Sequence, residues 1–449
     1  MHSAQRIVLF FSGSLDLISF GTYTFYVVVL ENGTFRDAIM CFAARRSRVN
    51  AMIDDTSNLY LSRYERGDFS ASSIYIFPSR LSKLIAKGVC KMKIAKKLLV
   101  VLVVFAFIAS MFAMAGCDAK SGKVKIGVAM PTQSLQRWNQ DGEYLKKELE
   151  AAGYEVDLQY ANNEVATQVT QIEGMITGGC DVLVIASIDG SSLGTQLDSA
   201  KKEKIPVIAY DRLLMNSDAV TCYATFDNYA VGKMQGEFIE SALGLKDGKG
   251  PFNMEMFAGS PDDNNATLFF QGAIDVLQKY IDSGKLNVVS GQTDFATIAI
   301  MSWKTETAQA RMDDLLTKYY ADGTKLDVVL SPNDSVAIGI ANALDNSGDF
   351  TVGTNWPIVT GQDCDTPNMK NIIAGKQSMS IFKDTRTLAK EVLTITKALG
   401  EGKTPVTNAT YNNNKIDVPS FNCEILFADV NNYEKVLIDS GYYTADQLK

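Results

Sequence analysis

The chain has 449 residues, 46% of them apolar and 21% charged, with a formal net charge of −8. At roughly 150 residues per domain this is room for about three domains, and the acidic balance disfavours a nucleic-acid binder, which carries a basic face. The single histidine, His2, excludes a His-based triad, a His-ligated metal and haem ligation by His; the seven cysteines include no C-x-x-C pair, which excludes a zinc ribbon or thioredoxin-like motif.

Taken in chain order, the composition breaks first. Residues 1–91 hold 8 Arg and 3 Lys against 7 acids, whereas residues 92–449 hold 4 Arg and 28 Lys. From 118 onward 29 basic residues face 44 acidic ones, a net of −15. Residues 7–30 are apolar without steady periodicity, and 45–66 are polar and basic. At Met92 a short basic region (92–97) leads into an apolar run (98–115) broken only by Ser110, then Met114-Ala115-Gly116-Cys117. This is the layout of an export signal. Cys117 after Ala-Gly resembles a bacterial lipobox, with Met114 where Leu is usual. The resemblance implies removal of 92–116, double acylation of Cys117 and a tether over 117–122; two acyl chains anchor stably where one does not. The alternative is an uncleaved membrane anchor. Because such a signal works from an N-terminus, residues 1–91 are expected to be an upstream extension outside the natural product.

Beyond the tether the chain reads as repeating β-α units. Strands are expected at 123–130, 155–160, 181–186, 205–210 and 219–225. Helices are expected at 139–152, stopped by Gly153, at 164–177 and through 199–202. The spacing is that of β-α-β crossovers and a parallel sheet. The pattern then restarts. Helices are expected at 228–242, 266–283, 305–320 and 334–346, and strands at 253–258, 286–290, 327–331 and 357–361. The fold class is therefore α/β, as two doubly wound parallel-sheet lobes joined by a hinge near 225–227.

In open α/β sheets ligands bind beyond the C-terminal strand ends. Those ends carry Arg137-Trp138, Asp211-Arg212, Asp263 and Asn265, Asn333, Asp363 and Lys383, with Trp303 in a connection. Charges, amides and two indoles suit a neutral polyol. Hydroxyls need donors and acceptors, a pyranose packs its C–H face on an aromatic ring, and Arg holds two adjacent oxygens. Singly, each has a plainer reading: Trp138 and Trp303 as core, Asp211-Arg212 as a local ion pair, Asn333-Asp334 as a helix N-cap, Asp262–Asn265 as a turn and helix start, Lys383 as a solvated side chain. Cys180 and Cys222 read as buried thiols or a disulfide, Cys364 lies beside Asp363, and Cys423 has no evident partner. No catalytic pair, phosphate loop, cofactor site or metal cluster is legible.

At this point the chain resembles the type I periplasmic binding proteins of ABC sugar importers, in the xylose-binding and multiple-monosaccharide-binding branch. The matching residues are 125–130 with Gln136-Arg137-Trp138, Gln171-Ile172-Glu173, 181–187, Ala209–Arg212, Phe226-Asp227-Asn228, GSPDDNNA at 259–266, Gly361-Gln362-Asp363, Ile381-Phe382-Lys383 and Ser440–Tyr443. The resemblance implies a monomeric, non-enzymatic receptor that is extracytoplasmic and lipid-anchored. It would clamp a monosaccharide such as xylose or glucose and deliver it to an ABC permease and ATPase complex. Arg137, Trp138, Asp211 and Arg212 would contact the sugar from the first lobe, and Asp263, Asn265, Trp303, Asn333, Asp363 and Lys383 from the second lobe or hinge. It assigns 123–226 with 384–414 to the N-terminal lobe, and 227–383 with 415–449 to the C-terminal one. Ser302 and Lys304 stand where the branch commonly has Arg and an acid, which argues against uronic acids. The rival readings are a receptor presenting sugar to a chemosensory or signalling partner, a sugar-responsive repressor core and an enzyme.

Overall fold

The computed structural model describes residues 16–20, 23–27, 42–45 and 123–449. The chain divides into two compact units, Met1–Cys117 and Asp118–Lys449. In the first unit β1 (Asp16–Phe20), β2 (Tyr23–Val27) and β3 (Phe42–Arg45) form an antiparallel sheet in that order. These strands fall in the stretch expected to be an upstream extension. The export signal expected at 92–116, the acylation expected at Cys117 and the rest of the expected tether lie outside the described residues.

In the second unit β4 (Lys125–Met130), β5 (Glu155–Tyr160), β6 (Val182–Ile185), β7 (Val207–Tyr210) and β8 (Val220–Phe226) are parallel neighbours. Successive residues of a strand face opposite sides. Val182 and Val184 pack into one apolar core, while Leu183 and Ile185 pack into another on the opposite face. Helices cover both faces, which is why this strand reads as an unbroken apolar run.

The second sheet is built from β9 (Phe252–Met256), β10 (Leu286–Val288), β11 (Val328–Leu330) and β12 (Ile358–Val359), parallel throughout in the order β10-β9-β11-β12. β13 (Met379–Lys383) is tied to it by a bridge between Gln362 and Ile381. After it, β14 (Ala409–Asn412), β15 (Asp417–Cys423) and β16 (Ile425–Asp429) are shared between the lobes. β16 pairs antiparallel with β13. The first sheet has the full order β14-β15-β8-β7-β6-β4-β5.

That order corrects the boundary expected at 414/415. β15 runs parallel to β8, with Ser420 opposite Tyr223 and Cys423 opposite Phe226, and it buries Val418 and Cys423 in the first lobe's cores. The first lobe therefore keeps the chain through 423. The chain crosses between lobes after β8, after β13 and after β15, three crossings as the expected lobe assignment has, with the third moved to follow 423. The helix Thr385–Gly400 returns to the first lobe and packs Leu388, Ala389, Val392 and Ile395 there.

One helix boundary matters for function. The helix expected from 139 begins at Gln136 and runs to Ala151, with Leu145 and Leu149 buried as their spacing requires. Gly153, at φ +95°, provides the left-handed turn that follows. The early start places Arg137 and Trp138 in the first helical turn, both buried. A charged residue facing inward is invisible to an apolar-periodicity reading. Among the described residues no helix is long and apolar enough to cross a membrane.

Candidate binding site between the two lobes

The C-terminal ends of both sheets face one cleft, and the ten residues singled out from the sequence line a single cavity in it. Arg137 and Trp138 come from the first turn of the helix after β4, and Asp211-Arg212 from the end of β7. From the other side, Asp263 and Asn265 begin the helix Asn264–Asp282, Trp303 sits in a 3-10 turn, Asn333 and Asp363 follow β11 and β12, and Lys383 ends β13. The sequence reading missed Leu135, Phe269, Ser335, Gln362 and Asp365, which also line the cavity. Phe269 lies one helical turn after Asn265, and Gln362 and Asp365 flank Asp363, so helix periodicity and loop polarity could have signalled them.

Arg137 is the centre of the charge pattern. Its Nε donates to Asp141 at 3.0 Å, its two terminal nitrogens to Asp211 at 2.5 Å and to Asp363 at 3.2 Å. Lys383 Nζ lies 3.1 Å from Asp363 and 3.9 Å from Asp211. Arg212 donates to the carbonyls of Ser187 and Ile188, and its Nε is 2.9 Å from Asp263. That N–H is not aimed at the oxygen, so this is a charge contact rather than a hydrogen bond. The Arg137–Asp363, Arg212–Asp263 and Lys383–Asp211 contacts all cross between lobes. A second crossing lies beside the cavity, where Gln136 donates to Thr366 Oγ1 at 3.1 Å and to Tyr443 Oη at 2.9 Å.

Burial opposes every charge here, and the partners decide the outcome. Burial works against the Arg137 guanidinium, but Asp211, Asp141 and Asp363 together hold its pKa well above the ordinary value. Burial likewise works against the Asp211 carboxylate, and Arg137 and Lys383 reverse it, so its pKa falls. Asp141, behind Arg137 and bonded to the Tyr210 hydroxyl, is pushed up to about 6 by burial. Burial raises Asp263 despite Arg212. Burial and then Asp363 push Asp365 up to about 8.

Three lining residues hold backbone conformations that side chains disfavour: Asp211 at φ +58°, Trp303 at φ +58° and Asp363 at φ +98°. Such strain persists where the surroundings over-determine it. The Asp211 carbonyl shows how, for it accepts from Tyr223 Oη at 2.6 Å, Asn265 Nδ2 at 2.8 Å and Thr225 Oγ1 at 3.0 Å. Asn265 thereby joins the lobes as well as lining the cavity.

The two indoles are nearly closed off from solvent, Trp138 at 3% and Trp303 at 5% exposure. The guanidinium carbons of Arg137 and Arg212 lie 5.2 and 5.0 Å from the Trp138 ring centre. Trp303 packs edge-on to Phe269 at 6.3 Å. Its Nε1 is buried without a hydrogen-bond partner among the described residues.

Asn333, not Asp334, is the N-cap of the helix Asp334–Ser347, accepting from Val336 N at 3.1 Å. Asp334 is the first helical residue and is fully buried. It accepts from Asp365 N, Gln377 Nε2 and Ser380 Oγ. Asp263 both caps its helix and lines the cavity. Cys180, Cys222, Cys364 and Cys423 are buried free thiols. Cys364 packs with Met369 and Phe382 and is not among the residues lining the cavity.

Known proteins resemble this chain in sequence and fold. The family model described as periplasmic binding protein domain matches residues 126–404. The multiple sugar-binding periplasmic receptor ChvE of Rhizobium radiobacter is 53% identical over 329 residues, covering 73% of this chain and 93% of its own. The D-xylose-binding periplasmic protein of Escherichia coli is 36% identical, covering 74% and 94%. A solved ABC transporter solute binding protein of Clostridium phytofermentans with bound β-D-glucose is 60% identical, with a TM-score of 0.70, covering 72% of this chain and all of its own. With the family model spanning more than half of its length, the chain belongs to the periplasmic binding proteins of type I fold, a family of solute receptors and not enzymes.

Proposed function

We propose that this protein is an extracytoplasmic receptor that binds a neutral aldose, D-glucose or D-xylose, between its lobes and delivers it as a monomer to an ABC permease. Cys117 would be its acylated anchor, which acyl labelling of wild type against Cys117→Ser tests. The observation that carries the reading is the cavity itself. Cations, carboxylates, amides and two indoles converge on it from both lobes, and relatives at 60% and 36% identity are described with β-D-glucose and as D-xylose-binding. Arg137, Arg212 and Lys383 face at least as many carboxylates. The site thus has no spare cation for a sugar acid, in line with Ser302 and Lys304.

The mechanism follows from where the groups stand. A sugar held by one lobe leaves hydroxyls to water, and closure adds the other lobe's partners. The ligand therefore favours the closed form by its difference in affinity for the two forms. Asp211→Ala and Asp363→Ala each remove an acceptor and leave buried cations short of a partner. Each should cost about 1.5–3 kcal/mol, or roughly 10–150-fold in affinity. Isothermal titration with D-glucose and D-xylose reads this directly, and wild-type affinity in both variants would overturn the assigned site.

A further inference from the structure

Asp365 is in a place it does not use in the ordinary way. It stands at the N-cap of the helix Thr366–Ile373 with extended backbone, where a carboxylate usually accepts from the first-turn N–H groups. Its side chain makes no such bond. The residue lines the cleft cavity instead, at 8% exposure, and its Oδ1 is buried without a hydrogen-bond partner among the described residues. Asp334 Oδ2 accepts from its backbone N–H at 2.9 Å, which fixes the main chain and leaves the carboxyl to meet something else. Arg137 and Lys383 spend their ion pairs on Asp141, Asp211 and Asp363. A buried acceptor with no partner is costly unless a ligand supplies one.

We propose that Asp365 is a further ligand contact and specificity-determining residue, whose carboxyl takes one hydroxyl of the bound sugar that the ion-paired carboxylates do not serve. The inference rests on reading the cleft as a sugar site. The groups facing this carboxyl are Asp363 in its own loop, Arg137 and Asp141 on the helix after β4, Lys383 on β13 and Asp334 below it. Burial and Asp363 push its pKa up, toward the protonated form. In that form it both donates and accepts, as a sugar hydroxyl requires and as an amide also does.

The test is isothermal titration of wild type, D365A and D365N with D-glucose and with each monodeoxy form of D-glucose. D365A should bind glucose about tenfold more weakly than wild type does. One monodeoxy sugar, lacking the hydroxyl that Asp365 takes, should bind D365A as well as it binds wild type. D365N, which keeps a donor and an acceptor, should stay within about threefold of wild type. If D365A does not fold, D365L, which removes the polar group but keeps the volume, is read the same way. Equal weakening of every sugar, or no weakening, would overturn the inference while leaving the sugar site standing. Binding of none of these sugars or D-xylose by wild type would overturn the reading of the site and this inference with it.

Discussion

Replacing Arg137 by alanine should lower sugar affinity by more than about 100-fold and destabilise the protein by about 3–5 kcal/mol, the cost of leaving buried charges without their partner. The variant strips the shared cation from Asp141, Asp211 and Asp363, which lie within 3.2 Å of its guanidinium nitrogens. It also removes one of the bonds that draw the lobes together. Burial already holds Asp141 up at about 6 against the pull of Arg137, so without the guanidinium it binds its proton more tightly still in the folded chain than in the unfolded one. The folded variant therefore loses stability as pH rises through that raised pKa, and its deficit against wild type should narrow toward about pH 4–5. Denaturant unfolding across pH measures this, and titration with D-glucose measures the affinity. Arg137→Lys restores the charge but not the three-way fork, so it should recover stability better than binding. An alanine variant that binds within about threefold of wild type would sink the assignment of Arg137 as the centre of the site.

Gly259→Ala should be nearly as damaging, although Gly259 itself carries no polar side chain. A Cβ there would sit 2.0 Å from Trp303 Cη2 and 2.5 Å from two further ring atoms. The indole has little room to yield. Its backbone is already in the left-handed region, it packs edge-on to Phe269, and it is almost fully buried. Overpacking of this kind costs about 1–3 kcal/mol, and moving the ring away from the cavity should weaken sugar binding roughly 10–100-fold. The two positions are in contact, so their effects should not add. On a Trp303→Leu background the same glycine change should cost much less. Melting temperature and titration of the two single variants and the double variant decide the matter; full additivity would show that the ring and the glycine are independent.

Much of the site was legible because the positions that matter are set locally. In a parallel sheet every strand ends at the same edge, so finding a strand and reading the residue after it is enough to place Asp211, Arg212, Asn333, Asp363 and Lys383. Arg137 and Trp138 were found as residues after a strand, although they belong to a helix that begins three residues early. Phe269 and Asp365 were not found. A phenylalanine reads as core, and an acid just ahead of Thr366-Pro367 reads as a cap. Asp334 shows the reverse error, for an acid after an asparagine reads as capping when it is in fact buried under Asp365.

The amino-acid sequence by itself determined that there are two α/β lobes, because apolar runs repeat with the β-α-β period, and that a polar, mixed-charge cleft lies at their strand ends. Only the tertiary structure decided which charges meet. Arg137 and Asp363 are 226 residues apart, and nothing in local pattern says that one guanidinium serves three carboxylates. It alone assigned β15 to the first sheet, since strand pairing is chosen by the faces available for burial and not by order along the chain. It alone set Asp365 in the cavity's lining with no capping bond, because a side chain's surroundings follow from neighbours brought in by the whole fold.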